Sequence, residues 1–80
     1  MNEVGRELQL DELHRTSIIV LQKEGQSFGV TMWVALVGQD FVAFYSGSLN
    51  VTYIGHIRED GTLGDDKGER IRVFEYIGVP

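Results

Sequence analysis

From Ser17 to Ile57 apolar residues alternate with small or polar ones at a period of two, interrupted only at Gly, Asp, Asn and Ser. A helix needs its apolar residues three and four apart, so this pattern specifies antiparallel strands joined by short turns. The strands read as Ser17 to Lys23, Phe28 to Val37, Phe41 to Tyr45, Val51 to Arg58 and, after a polar glycine-rich run, Arg70 to Ile77. Turn residues separate them at Glu24 to Ser27, Gly38 to Asp40, Ser46 to Ser48 and Glu59 to Thr62. In the Phe28 to Val37 segment, alternation puts Phe28, Val30, Met32, Val34 and Leu36 on one face and Gly29, Thr31, Trp33, Ala35 and Val37 on the other. Both faces are substantially apolar, which predicts a central strand.

Residues 1–16 form an N-terminal helix or arm. Leu8, Leu10 and Leu13 would make only a loose helical face, and Asn2 or Asp11 would cap it, which slightly favours a short helix; Leu8-Gln9-Leu10-Asp11 also alternates like an edge strand. The expected fold is a single mainly β domain over residues 1–80, a five-stranded antiparallel meander that ten glycines allow to curl strongly. Its topology resembles the small open barrels of SH3-like folds, with the N-terminal helix plugging one end. The competing architecture is an α+β two-layer fold with that helix across a flatter sheet. The resemblance is topological and assigns no functional residue.

The chain has no cysteine, so neither disulfides nor a thiolate zinc site can hold it together and the core must do so. A net charge of −5 has the wrong sign for displacing counterions from nucleic acid or for binding anionic membranes. The longest apolar run, Met32 to Val37, falls far short of the roughly 20 residues of a bilayer span. Met1 to Glu7 has no basic region followed by an apolar stretch, so no signal peptide is expected and the location reads as cytoplasmic. His14 and His56 are the only histidines and neither stands at ligand spacing from another, so no metal or other cofactor is expected. Gly-x-Ser-x-Gly, Gly-x-Gly-x-x-Gly and Walker patterns do not occur, and Ser46-Gly47-Ser48 is turn chemistry. A chain this short is also not expected to enclose the roughly 300 Å³ or more of a small-molecule site, so the reading is non-enzymatic.

Two groups of residues remain as candidates. If Val51, Tyr53, Ile57, Ile71, Val73 and Ile77 face the core, then Ile54, His56, Arg72, Phe74 and Tyr76 share the opposite side with Trp33, the composition of interface anchors. The competing reading is that Leu8, Leu10 and Leu13 cover this face as a second core layer. The loop from Glu59 to Glu69 carries Glu59, Asp60, Asp65, Asp66 and Glu69 against one lysine. It is either a solvated hairpin that protects a sheet edge or an acidic docking loop for a basic partner. The expected function is a non-catalytic protein-binding module. In size and charge the chain is similar to small phage or mobile-element inhibitors and accessory proteins that occupy a surface on a basic, nucleic-acid-handling protein. The alternative is an assembly subunit that homo-oligomerises through strand edges or its aromatic face.

Overall fold

The computed structural model describes residues 3–78. Seven strands run in the order β1 (Glu3–Glu7), β2 (Ile18–Lys23), β3 (Val30–Val37), β4 (Phe41–Ser46), β5 (Val51–Ile57), β6 (Leu63–Gly64) and β7 (Arg70–Gly78). Every pairing is antiparallel. Strands β2 to β5 form a meander, β7 returns beside β2, and β6 bridges β5 to β7. The result is a closed six-strand barrel, with β1 added as an extra strand on β7.

The expected β class and the alternating segments are therefore present, but the five-stranded open meander is not. Closure requires β6, whose two residues are too few to give a periodic signal. The expected N-terminal helix is also replaced. Its proposed cap Asn2 lies outside the described residues, Glu3–Glu7 is a strand, and among the described residues the helical content is one 3₁₀ turn, Leu10–Glu12. Three residues of 3₁₀ helix give no α+β layer. The leucines nevertheless fill the place expected of a plug: Leu13 is buried in the barrel core, and Leu8 and Leu10 pack against it.

The core is the inward half of each alternating strand: Ile19 and Leu21, Met32 and Val34, Val42 and Phe44, Leu63, and Ile71 and Val73. Phe44 and Val42 are fully buried. Tyr53 and Ile57 join this interior as expected, whereas Val51 and Ile77 are exposed. One slip in register changes the outcome for β3. Val34 pairs with Phe44, but Leu36, not Ala35, pairs with Ala43, so a bulge at Ala35 reverses the alternation. Leu36 thereby turns outward with Ala43, and Val37 turns toward the barrel mouth. Phe28, expected at the start of this strand on its inner face, precedes β3 and is exposed.

The arm is held by ion pairs. Arg6 binds both carboxylate oxygens of Glu12, one from Nη1 at 3.0 Å, and Gln9 N–H donates to the same group. The Arg6 hydrogen bonds and then the Gln9 N–H hold the Glu12 carboxyl down at about 2. A carboxyl lowered on folding contributes stability that is present above its ordinary value near 4.5 and lost as pH falls through about 2. Acidification across that window is expected to open the Arg6–Glu12 contact within the arm, while the β1–β7 pairing and the burial of Leu13 keep the arm on the barrel. An NMR titration of the Glu12 carboxyl should give a midpoint near 2; a midpoint at the ordinary value would mean the Arg6 contact does not persist in solution.

Candidate functional site

In a closed barrel the inward half of each strand is consumed by the core, and anything offered to a partner must stand on the outer wall, in the mouths or on exposed edges. Outward-facing residues of β3, β4 and β5 form two rows. In the first, Ile18 of β2 pairs with Trp33, Trp33 with Tyr45, and Tyr45 with Thr52. In the second, Leu36 pairs with Ala43 and Ala43 with Ile54. Ile18, Trp33 and Leu36 are 46%, 51% and 50% exposed, too much for residues under an intramolecular cover. The Trp33 and Tyr45 rings lie 6.2 Å apart at a 54° tilt, a contact that fixes the indole on the surface. No charged side chain interrupts the two rows, and from Gly25 to Ile57 the chain has a single one, Asp40, in the β3–β4 turn. This outer surface is held rigid by the sheet and free of charge, the composition found at the centre of protein interfaces.

The structure divides the predicted anchor residues. Trp33 and Ile54 lie on this wall, and His56 stands at its margin, where Nε2 is 2.7 Å from Asp66 Oδ1. Arg72, Phe74 and Tyr76 lie on β7, separated from β3 by β2 and from β5 by β6. There Arg72 is engaged by Glu7 at 2.9 Å and lies 5.1 Å from the Phe74 ring centroid. Phe74 lines a separate outer groove of about 330 Å³ with Val4, Val20 and Phe28. Strong curvature is the reason: outward side chains on a barrel diverge, so one face of a flat sheet becomes two. Leu8, Leu10 and Leu13 cover neither group, because they join the inner core. Residues the sequence reading missed are Ile18, Leu36 and Tyr45. The signal that locates Leu36 and Tyr45 is the absence of charge between Glu24 and Arg58, broken only at Asp40; Ile18 lies before that span and is found only through its pairing with Trp33.

The acidic loop is largely committed to its own fold. Asp60 Oδ1 accepts hydrogen bonds from Thr62 N–H at 3.0 Å and Oγ1 at 2.6 Å. Asp65 is buried; its Oδ1 accepts the Lys67 and Glu69 N–H groups at 2.9 and 2.8 Å, and its Oδ2 faces Lys23 Nζ at 3.4 Å. Burial pushes the Asp65 carboxyl up, but the Glu69 and Lys67 amides and the Lys23 ammonium together bring it below its ordinary value. Gly68, at φ +85°, closes this β6–β7 hairpin in a conformation that disfavours other residues. Glu59, Asp60, Asp66 and Glu69 are exposed, so four of the five predicted acids face solvent and Asp65 does not.

The barrel mouth beside the arm forms a shallow, solvent-open groove of about 580 Å³, with Leu10, Leu13, Val37 and Ile57 among its lining. This groove is broad and open to solvent, unlike the enclosed pockets that hold small molecules. The Ala35 bulge and the thin 3₁₀ turn, where a full helix was expected, leave this end incompletely filled. Its acidic and imidazole groups are Asp11, His14 and Asp60, the last already engaged by Thr62. Among the described residues no three His, Asp or Glu side chains converge as a metal site, and no helix is long and apolar enough to cross a membrane. The chain matches no protein-family model, and comparison with curated proteins and with solved structures yields no match.

Proposed function

We propose that this domain is a non-catalytic protein-binding module, an inhibitor or accessory protein of the cytoplasm that occupies a surface on another protein through the β3–β4–β5 wall. The observation that carries this reading is the uncharged outer surface on which Trp33, Leu36 and Ile18 remain about half exposed. Large rigid side chains bury much area at little cost in rotamer entropy, and charge depletion is the compositional mark of an interface centre. The net charge of −5 lies outside this wall and suits a basic partner, such as a nucleic-acid-handling protein, by speeding encounter without entering the contact. A small phage or mobile-element protein that blocks such a partner fits the same description.

Capture from native lysate tests the reading with Trp33→Ala and Leu36→Glu. Both positions are exposed, so each variant should fold with stability near that of the parent. Each should lose about tenfold or more in retention of the captured protein, as removal of a central anchor or insertion of an unpaired charge does. Equal retention by parent and both variants would reject this wall as the binding surface. The same lack of charge permits the second reading, a homo-oligomer, because two acidic copies can meet there without opposing like charges. Sedimentation at high micromolar concentration separates the two: the binding module remains monomeric.

A further inference from the structure

We propose that the outer edge of β5 accepts an extended peptide segment of the partner as an added strand, with the pattern apolar, small polar, apolar. This deepens the protein-binding reading and rests on it. Strand β5 is paired with β4 along Val51 to His56 without a register break, but β6 covers its other edge only at His56 and Ile57. Ile57 N–H donates to Asp40 O on the β4 side, and Arg58 N–H donates to Thr62 O on the β6 side. Backbone groups alternate along a strand, so the N–H and C=O of Thr52 and Ile54 point to the uncovered edge. An edge of this kind is normally blunted by charge or irregularity. Strand β1 shows both devices, with Glu3, Arg6 and Glu7 and two register shifts; β5 has no Asp, Glu, Lys or Arg and no shift.

Beside the edge runs a groove of about 230 Å³, bounded by Thr52, Tyr53 and Ile54 on one side and by Lys23, Asp65 and Lys67 on the other. Walls on both sides admit one strand and exclude the face of a second barrel, which selects an extended segment over another copy of this chain. A residue opposite Tyr53 would turn inward beside that ring, where Lys23 Nζ lies 5.3 Å from the ring centroid and 3.4 Å from Asp65 Oδ2. A small hydroxyl or amide side chain there can hydrogen-bond to this ion pair, whereas a large apolar one would desolvate it. The neighbours on either side would face outward with Thr52 and Ile54 and extend the apolar wall.

The probe is the doubly capped peptide Ac-Thr-Val-Ser-Val-Thr-NH₂, followed by amide hydrogen exchange and NMR shifts on the intact protein. In the free protein Thr52 and Ile54 amides should exchange rapidly while Tyr53 and Gly55 are protected. Peptide addition should shift and protect Thr52 and Ile54 first. N-methylation of both valines removes the donors and should weaken binding about tenfold or more. No protection at Thr52 and Ile54, or equal binding by the N-methylated peptide, overturns strand addition. Protection in the free protein that grows with its concentration also overturns it, by assigning the edge to a second copy. These outcomes are separable from failure of the wall: loss of partner in Trp33→Ala with an inert β5 edge would retain the binding module and remove only the added strand.

Discussion

Phe44→Ala is expected to remove or strongly lower the cooperative unfolding transition. The ring is fully buried, and its β4 position pairs with Val34 on one side and Tyr53 on the other. Deleting a buried phenylalanine ring costs about 3–5 kcal/mol through lost transfer energy and the cavity left behind. A domain of 80 residues has roughly 4–12 kcal/mol in total at the usual margin per residue. The loss therefore takes between about a quarter and all of that margin, and no disulfide limits the unfolded chain to offset it. Urea denaturation followed by circular dichroism should show a lost or strongly lowered transition. Trp33→Ala, at half exposure on the opposite face of the sheet, should retain most of the midpoint. A parent-like midpoint for Phe44→Ala would mean that the interior is not built around this ring.

Gly55→Val should destabilise the barrel by about 1–3 kcal/mol, the usual cost of overfilling a packed interior. Gly55 faces inward opposite Val42, and a β-carbon placed on it would lie 3.3 Å from the Phe44 ring and 3.6 Å from Leu63. The glycine is there because the aromatic ring occupies its side-chain space, at a point where the chain must also meet the bridging strand β6. Gly55→Ala should cost less. Shortening the ring in Phe44→Leu should relieve part of the valine penalty, so the double variant should show a coupling of about 0.5–3 kcal/mol in a double-mutant cycle. Strict additivity would place the two residues out of contact.

Alternation from Ser17 to Ile57 was sufficient to locate β2 to β5, because one face of each strand meets a core and the other meets solvent. What it could not reveal were features without a period. Leu63–Gly64 is a two-residue strand recognisable only through its partners, and Ala35 is one added residue that moves Leu36 from the predicted core to the wall. Leu8, Leu10 and Leu13 correctly announced an apolar segment, but their spacing suits a helix face, a strand and an irregular plug alike. The anchor residues were legible by type and not by neighbourhood. Trp33 and Ile54 share a wall, whereas Arg72, Phe74 and Tyr76 diverge from it once the sheet curls shut, and curvature is a property of all the strands together. Asp65 shows the same limit for charge. Its neighbours in sequence predict exposure, yet Lys23, far away in the chain, faces it across the hairpin.

The position of β7 has a consequence for biosynthesis. It is the last of the strands to leave the ribosome, yet it supplies partners to β1, β2 and β6. Ile19 must wait for Glu75, more than fifty residues downstream, which at roughly 5–20 residues per second means several seconds of translation. During that interval the β2–β5 meander exists with its apolar inner face unsealed and β2 unpaired on one side. Maturation is therefore a single late event, and the nascent meander is the species on which chaperones and aggregation would compete.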